Sequence, residues 1–177
     1  MVFPARVAAV CVFCLAFSYP AKAATVCVLV VESGLPADSA RVEASSAWEA
    51  GLMDAFFDAG HIVTNGTLYR SDPASVGSGT TFPERGFGIE AAREGGADYL
   101  SIVVLAYEER AEAAPATKPS PPRLSPRGAS YRILDIVTGA VIAEGVEARL
   151  PAAVSAEDEA REAGKVARIM MTRLKER

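Results

Sequence analysis

Residues Ser130 to Gly145 read SYRILDIVTGAVIAEG, and the fold turns on how Asp135 is placed within them. Asp135 stands among Ile133, Leu134, Ile136 and Val137, and Thr138-Gly139 follows. An aspartate favours turn entry because its carboxylate can accept backbone N–H groups two or three residues ahead. Gly139 supplies the positive φ that such a turn often needs. The stretch therefore predicts two strands, Ser130 to Val137 and Ala140 to Leu150, joined by a tight turn. Asp135 then reads as shaping the turn rather than as an active-site carboxylate, since neither a second acid nor a histidine lies nearby in sequence.

Upstream, YLSIVVLAY (Tyr99 to Tyr107) is the clearest strand in the chain. Between it and the hairpin, Ala111 to Gly128 carries five prolines and several charges, which predicts a flexible or polyproline-like excursion outside the core. Val26 to Val31 is a continuous apolar run rich in β-branched residues and reads as a strand covered on both faces. A helix follows from about Arg41 to Ala59. Trp48, Leu52 and Phe56 recur every fourth residue, and Met53 and Phe57 widen the stripe. Gly60 stops this helix, His61 to Thr64 forms a short strand, and Asn65-Gly66 ends it. Leu68 to Pro83 reads as a polar loop.

A short helix around Glu84 to Glu94 ends at Gly95-Gly96. Ser155 caps a last helix, with Asp158 three residues on as a variant capping box. Glu157, Asp158 and Glu159 sit at its positive end, and Arg168, Arg173, Lys175 and Arg177 towards its negative end. Its core face is Ala163, Val166, Ala167, Met170 and Leu174. The predicted order is β-α-β-α-β-β-β-α, with the proline-rich loop at 111–128. The fold class is α/β (α+β), a single mixed β-sheet with helices packed on it.

The amino terminus, MVFPARVAAVCVFCLAFSYPAKA, reads as an export signal. Arg6 precedes an uncharged, mostly apolar run from Val7 to Phe17, and Ala21-Lys22-Ala23 places small residues where a signal peptidase requires them. Cleavage is expected after Ala23, leaving residues 24–177 as a single domain. The apolar run is shorter than the roughly 20 residues of a spanning helix, so no stable membrane span is expected after cleavage; a retained signal would leave the protein membrane-associated. Cys11, Cys14 and Cys27 are preceded by Val10, Phe13 and Val26, where a lipoprotein signal wants a small residue. Cys27 alone survives cleavage, so no internal disulfide is expected, and its apolar neighbours make it a small buried hydrophobe.

The chain carries 18 basic and 22 acidic residues, a net charge of −4, and losing Arg6 and Lys22 makes it more acidic still. Phosphate backbones attract basic surfaces, so nucleic acid is not an expected partner.

The pattern assigns no catalytic residue, no cofactor-binding residue and no metal ligand. His61 is the one histidine, lacks a local nucleophile and orienting acid, and reads as a capping or packing residue. No histidine or cysteine cluster suits zinc, and no acid-rich loop suits calcium. Gly77-Ser78-Gly79 and Gly86-Phe87-Gly88 do not directly follow a strand as a phosphate cradle would, and Ser78 lacks a nucleophile elbow. Asp54 with Asp58, and Glu90 with Glu94, lie one helical turn apart and read as the wet faces of amphipathic helices.

Three blocks carry a resemblance: VCVLVV followed by WEAGLMDAFFDAGHIVTN; IEAAREGGADYLSIVVLAYEE; and SYRILDIVTGAVIAEG followed by the last helix. Their succession resembles the periplasmic α/β domain shared by the Lpo-type activators of penicillin-binding proteins, the curli-secretion lipoproteins and the amino-terminal domain of TolB. That domain has an anticodon-binding-domain-like topology. The shared positions, Gly60, Gly96, Ala97, Asp98, Asp135, Thr138 and Gly139, read as fold determinants.

The resemblance implies a non-enzymatic, periplasmic protein-interaction module with an envelope protein as partner, an accessory or regulator of cell-envelope assembly. Two alternatives stand beside it: a small periplasmic hydrolase or ligand-binding protein in which His61, Asp54 or Asp135 converge, and a self-assembling envelope subunit, a homo-oligomer.

Overall fold

The computed structural model describes residues 23–35, 42–66, 69–70, 82, 86–107, 124–147 and 149–175. One mixed sheet organises them. Its strands are β1 (Thr25–Ser33), β2 (Ile62–Asn65), β3 (Tyr69–Arg70), β4 (Tyr99–Ala106), β5 (Gly128–Asp135) and β6 (Val141–Glu147), and its helices are α1 (Glu43–Asp58), α2 (Ile89–Glu94) and α3 (Ala156–Lys175). The strand order is β2-β1-β4-β5-β6, with β3 also pairing β1. β1 is parallel to β2, β3 and β4, whereas β4–β5 and β5–β6 are antiparallel. The expected order of elements is observed, with one addition: the two residues of β3 stand where a polar loop was expected from Leu68.

The side-chain period of two divides β1 between two cores. Val26, Val28 and Val30 face α1 and α3, while Cys27, Leu29 and Val31 face the side carrying α2. A strand buried on both faces cannot alternate, which is why VCVLVV reads as a continuous apolar run.

On α1, Trp48, Leu52 and Phe56 are fully buried, as expected, but Phe57 is 70% exposed. The stripe widens on its other side, through Ala44 and Gly51, because α3 packs there and Phe57 lies a further 100° or so around the helix. Helix α2 begins at Ile89 and not near Glu84: Gly88 has φ 76°, which no helical residue adopts. The hairpin strand begins two residues earlier than expected, at Gly128, paired with Ala106. Pro126, assigned to an excursion outside the core, is buried. Residues 111–123 of that excursion lie outside the described residues, as do Gly77-Ser78-Gly79 and the export signal up to residue 22.

Helices α1 and α2 end in the same way. Gly60 N–H donates to the Phe57 carbonyl and His61 N–H to that of Phe56; Gly96 N–H donates to Arg93 and Ala97 N–H to Ala92. Both glycines have positive φ, 88° and 71°. These are Schellman closures, and each hands the chain directly into a strand.

Candidate functional site

Those closures bring the ends of several elements together at the starting edge of β1 and β4. A groove of about 400 Å³ opens there, lined by Ala24, Ala59, His61, Asp98, Tyr99, Asp135, Val137, Leu174 and Lys175 among others. Helices α1 and α3 both direct their C-terminal ends towards it. Unpaired carbonyls at a helix C-terminus carry a partial negative charge, which adds to the two carboxylates.

His61 owes its position to the closure of α1. It follows the left-handed Gly60, and its ring meets Phe56 edge-on with centroids 6.1 Å apart, the apolar contact that completes such a motif. This is the capping and packing role expected of it. Its Nδ1 is buried and, among the described residues, has no hydrogen-bond partner.

Asp135 serves the hairpin turn. Its Oδ1 accepts the N–H groups of Val137 and Thr138 at 2.9 and 2.8 Å. Its carbonyl accepts Gly139 N–H at 2.8 Å, and Gly139 has φ 68°. Asp98 straps the sheet: its Oδ2 accepts Thr25 N–H at 2.8 Å, its own N–H donates to the Thr25 carbonyl, and its carbonyl accepts Ile136 N–H.

The groove thus gathers His61 and Asp135, with Asp98 added; Asp54 is not one of its lining residues and is exposed on α1. A hydrolytic triad needs the histidine oriented by an acid; here Asp98 and Asp135 both accept backbone N–H groups, and His61 Nδ1 has no hydrogen-bond partner among the described residues. The geometry gathers charge and closes turns. Asp58, Glu90 and Glu94 are exposed on their helices, as expected of wet faces. Cys27 is a buried free thiol, and burial pushes its pKa up against a hydrogen bond to Thr64. Among the described residues, no three of His, Cys, Asp and Glu are grouped to hold a metal ion, and no helix is long and apolar enough to cross a membrane.

A second feature lies at the far edge of the sheet. β6 is the end strand and, among the described residues, its outer side pairs with nothing. Its burial pattern never reaches the fully buried class, and Val146 is 55% exposed. Arg132 on β5 holds Glu144 of β6 at 2.8 Å and stacks over the Phe82 ring at 4.1 Å, so the edge strand is braced from within.

The fold and these two features define a single-sheet α+β protein with an open antiparallel edge. The chain belongs to the family whose model, described as "Uncharacterised protein", matches residues 26–170. A comparison with curated proteins finds no match. Among solved structures the chain is similar to a PelC dodecamer from Paraburkholderia phytofirmans, with 17% identity, a TM-score of 0.42, and 87% of this chain and 90% of that chain covered. It is also similar to the LpoB C-terminal domain from Escherichia coli, with 14% identity, a TM-score of 0.38, and coverage of 70% and 80%.

Proposed function

We propose that the protein is exported to the periplasm and works there as a non-enzymatic interaction module, binding a protein of the cell envelope through the open edge of β6. The observation that carries this reading is the edge itself: seven residues of strand, without proline, whose outer side is unpaired among the described residues. Such an edge offers N–H and C=O groups to an incoming strand. The export signal and the resemblance to Lpo-type activators support the compartment and the class of partner, a component of envelope assembly.

A photo-crosslinking side chain at Val146, in cells that export the protein, tests the reading. A discrete hetero-adduct identified by mass spectrometry is the expected result. A folded, abundant, exported chain that forms no adduct at Val146 contradicts it, and an adduct of twice the protein's own mass replaces it with the self-assembling subunit.

A further inference from the structure

The groove's wall includes Ala23 and Ala24, the residues on either side of the expected cleavage point. We propose that cleavage after Ala23 places the new α-ammonium of Ala24 in this groove, held by Asp98, so that processing fastens the start of the central strand β1. The inference rests on the export reading. Water adds across the peptide bond; Ala23 leaves as the carboxylate end of the signal, and the Ala24 nitrogen, formerly an amide, takes up protons and becomes a cation.

Three observations place that cation. Thr25 N–H donates to Asp98 Oδ2 at 2.8 Å. Covalent geometry keeps adjacent backbone nitrogens within about 3.6 Å, so the Ala24 nitrogen lies within about 6.5 Å of that carboxylate oxygen. The Ala24 carbonyl accepts Ile62 N–H at 3.0 Å and the Thr25 carbonyl accepts Asp98 N–H at 2.8 Å, which pins the residue on both sides and leaves one torsion to aim the nitrogen.

The C-terminal ends of α1 and α3, represented by Ala59 and Leu174, add the negative ends of two helix dipoles. The titratable residues lining the groove are Asp98, Asp135, His61, Tyr99 and Lys175, and Lys175 is the one fixed cation among them. An opposite charge at this range favours the protonated amine. The precursor, with a neutral amide at the same atom, lacks the ion pair, so β1 is held less firmly in a chain that has yet to cross the membrane.

The test uses protein purified from exporting cells. Intact mass reports the terminus, and the rate of α-amine acylation at pH 7 is compared between wild type and Asp98→Asn. The asparagine keeps an oxygen for Thr25 N–H and removes the charge. The expected mass is that of residues 24–177, with wild type acylated several-fold more slowly; a rise of one unit in the amine pKa corresponds to about tenfold. Stability added by the pair is present below the ordinary amine pKa of about 8 and is lost as pH rises through the raised value.

Equal rates in the two proteins overturn the proposal while leaving export intact. A mass that retains the signal overturns both. Should Asp98→Asn not fold, wild type unfolded in urea is the reference, and a folded-to-unfolded rate ratio near one overturns the proposal.

Discussion

Trp48 donates its indole N–H to Glu159 Oε2 at 2.6 Å across the seam between α1 and α3. Glu159 is only 2% exposed, and its Oε1 has no hydrogen-bond partner among the described residues. A carboxylate buried with a single donor makes that donor matter more than its own packing. Trp48→Phe keeps an aromatic ring and strands the acid, and should cost about 2–3 kcal/mol, read as a lowered denaturant midpoint. Glu159→Gln keeps an acceptor for the indole and removes the buried charge, and should leave stability unchanged or raised.

Asp135 is the contrasting case. Asp135→Ala loses two turn hydrogen bonds and should destabilise the protein by about 1–2 kcal/mol without changing partner binding; lost binding in a folded Asp135→Ala protein would give Asp135 a role beyond the turn. The two residues differ in legibility for a physical reason. The N–H groups that Asp135 Oδ1 accepts lie two and three residues away, so turn chemistry announces them, whereas Trp48 and Glu159 are separated by 111 residues. In sequence Glu159 reads only as one acid of three at a helix start.

The elements show the same division. Helix stops are local, and Gly60 and Gly96 read correctly as the glycines that end α1 and α2. Gly51 gave no such signal, because its role is set by the helix that packs against it. A Cβ there would run into the Ala160 carbonyl and lie 2.7 Å from the Ala160 Cα, so α1 and α3 cross in close backbone contact. Gly51→Ala gains about 1 kcal/mol of helix propensity, but the obstruction is backbone and cannot rotate away. Overpacking of this kind costs roughly 1–3 kcal/mol or more, so the net change should be destabilising, a fall of several degrees in Tm.

The N-terminal cap of α3 was legible as Ser155 with Asp158, and the structure adds its geometry. Asp158 N–H donates to Ser155 Oγ at 3.1 Å, and the Ser155 hydroxyl and Val154 N–H donate to Asp158 Oδ2. The Ser155 hydrogen bond, with further help from Val154 and Arg161, holds the Asp158 carboxyl below its ordinary pKa. The stabilisation is therefore present above the unfolded-state value near 3.9 and is lost as pH falls through the lower folded-state value. Asp158→Asn should lie below wild type in Tm at pH 6, and the gap should close as the pH is lowered past about 4.

At the scale of the molecule, the sheet order follows from handedness and period. The chain leaves β1 through α1 on one face to reach β2, then crosses back through α2 on the other face to reach β4 on the far side of β1. Crossovers that travel in opposite directions share one hand only if they lie on opposite faces. The elements and the mixed sheet were legible because hydrophobic period and turn residues are local properties. That β2 and β6 would be the two outer strands was not, since strand order is set by pairing between distant segments; nor was the groove, which needs five separated segments to meet. The open edge now makes a claim about the whole surface.

Val146 is more than half exposed at that edge, so Val146→Lys should change stability by no more than about 0.5 kcal/mol. A lysine on an edge strand opposes the docking of another strand. If β6 receives the partner, this single change should abolish the hetero-complex, read by co-purification of the partner and without a crosslinker at position 146, at unchanged Tm, while a matched lysine at exposed Val137, on the turn and off the ladder, should leave it in place. A complex that survives Val146→Lys and fails with Val137→Lys would move the contact from the strand edge to the hairpin tip beside the groove.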